Sequence, residues 1–133
     1  MNYWRAKADE VASVFTEDGI LEFEGGQGLK GFRHAGRQAI RSFIAGVGDA
    51  PEPAPLPAGQ RRFLRHNLTT SSIELTGPGS AKARTYFIVY SQIGPDHSGY
   101  YADAFKKVGE RWLIAHRGVR LDWIAPNSVM AAR

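Results

Sequence analysis

The chain contains no cysteine. That single absence excludes a disulfide framework, thiolate-ligated zinc, iron–sulfur ligation and a cysteine nucleophile. No apolar run approaches the roughly 20 residues that a membrane-spanning helix needs, so no membrane partner is expected. No secretory leader is expected either. Met1–Glu10 carries Arg5, Lys7, Asp9 and Glu10 where such a leader needs an apolar stretch, and the chain reads as cytoplasmic. The four histidines, His34, His66, His97 and His116, show no metal-ligand spacing, so no metal is expected. The glycine-rich run Gly25–Gly31 lacks both the Lys-Ser/Thr ending of a phosphate-binding loop and a G-x-G-x-x-G fingerprint. It reads as a turn.

What is present describes one domain over residues 1–133. A chain of this length, 43% hydrophobic and 23% charged, buries a single core. Its net charge of +4 raises nucleic-acid binding, but the basic residues are scattered. The densest group, Arg61-Arg62-Phe63-Leu64-Arg65-His66, is short, and its apolar interleaving suits the start of a strand. An anionic small molecule meets the same charge.

Trp4, Ala8, Val11, Ala12 and Phe15 fall on one face of a 3.6-residue period and predict a helix over 3–15. Ile20–Glu24 predicts a short strand, and Ala39, Ile40, Phe43, Ile44 and Val47 a second helix over 35–47. Residues 48–60 form a loop in which Pro51, Pro53, Pro55 and Pro57 alternate. Proline at every second position keeps such a segment out of a sheet interior. From residue 62 the pattern is strand and turn: Arg62–Thr76, Ala81–Ile93, a turn over Gly94–Ser98, Gly99–Lys107, a bend at Gly109, Arg111–Trp123, and a tail over 124–133. Helices first and a meander afterwards predict an α+β fold with the helices on one face of the sheet.

A hairpin centred on Gly109 places Tyr101 opposite Arg117, with Asp103 one diagonal step away. The odd-numbered row then holds Phe87, Val89, Tyr101, Asp103, Phe105, Leu113, Ala115, Arg117 and Val119. The even-numbered row holds Tyr86, Ile88, Tyr90, Tyr100, Ala102, Ala104, Trp112, Ile114 and His116. Neither row is polar, so both faces of the sheet call for cover. Two helices cover one face, and a second copy of the chain is the simplest cover for the other, which predicts a homodimer.

Several segments in this order resemble a known family. They are Val14-Phe15-Thr16-Glu17-Asp18-Gly19, Arg65-His66 opening a strand, Ala81-x-Ala83-Arg84-x-Tyr86, Gly99-Tyr100-Tyr101-x-Asp103-x-Phe105, Trp112-x-Ile114-x-x-Arg117 and Asp122-Trp123. Together they resemble the SnoaL-like, polyketide-cyclase-like branch of the nuclear-transport-factor-2-like superfamily. The resemblance implies a cone-shaped α+β barrel: a curved antiparallel sheet wrapped around N-terminal helices, with a pocket inside. It also implies acid–base chemistry without metal or organic cofactor, of the lyase and isomerase kinds, while noncatalytic members exist too.

By this resemblance His66 matches the family's proton-moving histidine and Arg117 its charge-stabilising arginine. The family's first-helix carboxylate has no counterpart here, because the matching stretch reads Asn2-Tyr3-Trp4. Asp103, alone on an apolar row, is either the partner of Arg117 or the group that orients His66. Phe15, Tyr86, Phe87 and Tyr101 are expected to line an apolar pocket. The resulting expectation is a protein that binds an apolar or aromatic small molecule and acts on it by dehydratase-type proton transfer, with His66, Asp103 and Arg117 as its catalytic residues. The alternative is a noncatalytic ligand-binding or assembly module of the same fold.

Overall fold

The computed structural model describes residues 7–46 and 55–130. The start of the first predicted helix, Val47, the larger part of the proline-rich loop and the last three residues lie outside the described residues. The elements in chain order are α1 (Ala8–Ala12), β1 (Phe15–Phe23), β2 (Phe32–Ala35), α2 (Arg37–Ile44), β3 (Leu64–Gly77), β4 (Ser80–Ser91), β5 (Gly94–Val108) and β6 (Arg111–Ile124). The six strands form one open sheet in the order β2-β1-β6-β5-β4-β3. All neighbours are antiparallel except β1 and β6, which run parallel. The expected α+β architecture is present, with a mixed rather than purely antiparallel sheet.

Several local expectations change. The first helix stops at Ala12, because Val14-Phe15-Thr16 is a β-branched and aromatic run that starts β1 instead. Arg37 secures that entry by donating from Nε and Nη2 to the Phe15 carbonyl at 3.0 and 2.6 Å. Four-residue β2 is too short to show in the pattern. It forms because Phe32 pairs with Phe23 on β1, and the two rings lie 5.8 Å apart. Gly36, at φ +97°, turns the chain from β2 into α2, while its N–H donates to the Gly19 carbonyl at 2.7 Å.

The β5–β6 hairpin also departs from its predicted register. Val108 pairs with Arg111 around Gly109, which at φ +63° takes the left-handed turn position. With one further residue of offset taken up beyond Ala104, Asp103 sits directly opposite Arg117, and Tyr101 opposite Val119. A bulge after Ala104 leaves Ala115 unpaired and aligns Ile114 with Phe105. Ile114, expected on the far face, thus joins the core of Phe15, Leu21 and Ile40. Ile40, fully buried on α2, contributes about 2–3 kcal/mol by burial.

Among the described residues the helices cover the β2-β1-β6 half of the sheet, since α2 packs against β1 and β2 and its Ile40 meets Ile114 of β6. At the other edge β3 is exposed on both faces. Leu68, Ile73 and Leu75 there are 62%, 70% and 70% exposed.

Candidate functional site

The segment predicted as a turn, Gly94–Ser98, is the first part of β5, and the reversal falls on Gln92-Ile93. Tyr90 pairs with Pro95 and Val89 with His97, so Asp96 is an extra residue in the strand. A bulge of this kind re-aims side chains that would otherwise alternate across the sheet. Here it brings two consecutive side chains together: His97 Nδ1 lies 2.7 Å from Asp96 Oδ1. Asp96 is fully buried. It also accepts from Ser91 Oγ at 2.7 Å, from the Val129 amide at 3.0 Å and from Ser128 Oγ. Burial alone would raise the Asp96 pKa, but the donors from Ser128, His97, Ser91 and Val129 outweigh it and hold the carboxyl below its ordinary value. The same bonds fold the expected C-terminal tail back onto the sheet, where Ala125 and Ser128 are buried.

An ionised Asp96 accepts only, so the bond fixes the proton of His97 on Nδ1. Nε2 has no hydrogen-bond partner among the described residues. The His97 side chain is 13% exposed and stands edge-on to Phe87, with centroids 6.3 Å apart. Phe87 stacks on Tyr101 at 4.7 Å, and the Arg117 guanidinium lies over the Tyr101 ring at 4.1 Å. A continuous line of rings therefore runs along the helix-side face from an imidazole to a guanidinium. Burial is the main reason that the Tyr101 hydroxyl stays protonated above its usual range.

Arg117 and Asp103 meet as a bidentate pair, Nε to Oδ1 and Nη2 to Oδ2, both at 2.9 Å. His66 is on the same face but not beside them. It pairs with Val89, whose other neighbour is His97, so the two imidazoles flank Val89 about 10 Å apart by strand spacing. Asp103 lies six residues beyond His97 on β5, about 20 Å along the strand. His66 is open to solvent. Its pKa is held below the ordinary histidine value, first by desolvation and then by the neighbouring His97.

The predicted lining divides in the same way. Phe87 and Tyr101 lie together, whereas Phe15 is packed in the core against Ile40 and Ile114. Tyr86 projects from the opposite face, because alternation places it beside Tyr100, 5.7 Å away between ring centroids. Two surface depressions also lie away from His66. One of about 360 Å³ is bordered by Thr16, Asp18, Arg37 and Leu113. The other, of about 430 Å³, has Ser72, Glu74, Arg84, Ala102 and His116 around it. Among the described residues no three histidine, aspartate or glutamate side chains converge to hold a metal ion. No described helix is long and apolar enough to cross a membrane.

The sequence reading missed Asp96, His97, Ser91 and Ser128. The adjacent Asp-His pair was a visible signal, but the Gly-Pro before it read as a turn. Nothing in the sequence ties Ser128 to residue 96.

An open mixed sheet with its described helices on one face defines a cystatin-like fold. The chain belongs to the SnoaL-like domain family, whose model matches residues 5–118. Solved structures agree with that fold. Rv3472, a protein of unknown function from Mycobacterium tuberculosis, is 25% identical with a TM-score of 0.70, over 96% of this chain and 73% of its own. A Novosphingobium aromaticivorans protein assigned as a scytalone dehydratase is 21% identical, TM-score 0.63, over 92% and 75%. ActVI-ORFA from Streptomyces coelicolor is 19% identical, TM-score 0.63, over 90% of both chains. No curated protein matches the sequence.

Proposed function

We propose that this protein binds an apolar or aromatic small molecule on the helix-side face of its sheet and acts on it as a lyase or isomerase that moves a proton without a cofactor. The observation that carries this reading is the line His97, Phe87, Tyr101, Arg117. Flat rings present π-surface to an aromatic ligand, and the two ends carry groups that exchange protons or steady negative charge. Arg117 spends Nε and Nη2 on Asp103, leaving Nη1 for an anionic group of the ligand. His66, across Val89, is held neutral near pH 7 and is a second proton acceptor at the same end. The binding test uses 2-naphthol as probe, followed by NMR. Shifts confined to Phe87, Tyr101 and His97, with about tenfold weaker binding in Phe87→Ala, support the reading. Shifts gathered on Tyr86 and Tyr100, or none at all, refute it.

The closed Arg117–Asp103 pair favours one competing reading. A guanidinium already neutralised by a buried carboxylate suits a noncatalytic binding or assembly module of the same fold. On either reading we propose a homodimer through the opposite face, where Tyr86, Tyr90 and Trp123 are 38–42% exposed. Arg84 there lies over Tyr100 at 4.3 Å. Sedimentation equilibrium of the wild type and of Tyr86→Glu tests this. A monomeric wild type removes it.

A further inference from the structure

We infer that His97 is the group that takes the proton from the ligand and that Asp96 is its positioning residue, so the acid–base pair of this chain lies within a single bulge of β5. The inference rests on the ligand-binding reading above and deepens it. A productive base needs an acceptor nitrogen turned toward the ligand and a second nitrogen held by a fixed partner. His97 has a nitrogen for each role. Nδ1 is tied to Asp96 at 2.7 Å, and Nε2 is left as the acceptor beside Phe87 at the end of the ring line. Asp96 is itself held from three directions, by Ser91 on β4, by Ser128 and by the Val129 amide. Its carboxylate therefore stays in place when the imidazole becomes charged.

His66 stands on the edge strand β3 and is separated from this pair by Val89. The bulge holds its Asp–His pair two strands further in, on β5. The titratable groups facing His97 are Asp96 on its own strand, His66 across Val89 and Tyr101 along β5. Asp96, once His97 is protonated, stabilises the imidazolium as an ion pair in a setting where water is scarce.

The experiment uses 5-nitrobenzisoxazole, a flat aromatic probe that reports proton removal by colour. His97 Nε2 takes the ring C–H proton. The C–H electron pair forms the nitrile, the N–O bond breaks, and oxygen leaves as the coloured cyanonitrophenolate. The imidazolium then returns its proton to water. We expect His97→Ala to lower kcat/KM for the probe about a hundredfold, while Tyr100→Phe on the opposite face leaves it unchanged. Asp96→Asn should lower the rate and let the Nε2–H tautomer of His97 appear, because a neutral amide no longer fixes the proton on Nδ1. Ser128→Ala keeps the carboxylate and should keep the Nδ1–H tautomer. Long-range ¹H–¹⁵N spectra should show the Nδ1–H tautomer of His97 in the wild type.

A wild-type rate in His97→Ala overturns the inference, and so does an Nε2–H tautomer in the wild type. An unchanged Nδ1–H tautomer and rate in Asp96→Asn reduces Asp96 to a structural anchor and overturns its positioning role. If 2-naphthol still binds over Phe87 and Tyr101 when any of these occurs, ligand binding stands and only the proton-transfer assignment falls. If the wild type neither binds 2-naphthol there nor turns over the probe, both fall together.

Discussion

Replacing Asp103 by asparagine tests the energetics of the ring line most directly. The carboxylate is 5% exposed and receives two 2.9 Å bonds from Arg117. Asparagine keeps the shape but removes the charge, so a guanidinium sandwiched against Tyr101 at 4.1 Å loses its counter-ion. Breaking a buried pair from one side costs about 3–5 kcal/mol. The Arg117 side chain is 24% exposed, and partial access to water brings the expectation to the low end, about 3 kcal/mol. For a chain of this size that corresponds to a fall in Tm of about 10 °C. Thermal and urea unfolding followed by circular dichroism measure it. The double variant Asp103→Leu/Arg117→Met removes both charges and should return to within about 1 kcal/mol of wild type. Two results would refute the reasoning: a loss below about 1 kcal/mol in Asp103→Asn, or a double variant no more stable than the single one.

Two further outcomes follow from the same coordinates. At Gly99, where Asp122 is the extra residue of a bulge on β6, an added Cβ would run into the Arg120 carbonyl and lie 3.0 Å from the Leu121 Cα. Backbone on that side has no room to yield, so Gly99→Ala should cost about 2–3 kcal/mol in urea unfolding; a neutral result would mean that the bulge shifts freely. The His66 pKa is lower folded than unfolded. The unfolded chain therefore binds more protons between the folded value and about 6.5, and stability falls as pH drops through that window. His66→Gln should flatten this acid-side slope, and an unchanged slope in urea titrations at pH 5 to 7 contradicts it.

Much of the fold was legible because strand alternation survives in a single sequence. The row Phe87, Val89, Tyr101, Asp103, Arg117 does share a face, and its order follows the period of two. The register was not legible. A shift of two residues in the Gly109 hairpin separates a diagonal Asp103–Arg117 approach from a facing bidentate pair, and the turn together with the bulge after Ala104 decides it. Bulges were invisible for the same reason. The one after Ala104 carries Ile114 into the core, and the one at Asp96 turns a predicted loop into the most highly hydrogen-bonded carboxylate of the described chain.

By itself, then, the sequence determined the class of the fold, the helix-side row and its aromatic and charged content, since these depend on local periodicity and residue type. It also carried the family resemblance, which the match over residues 5–118 bears out. Tertiary structure alone decided which of those residues meet. His66 and Asp103 share a face yet lie about 20 Å apart along it, while Asp96 meets Ser128 from 32 positions away. Periodicity assigns a side chain to a face. Pairing between distant strands, with one residue too many in each bulge, sets its neighbours, and those neighbours set the chemistry.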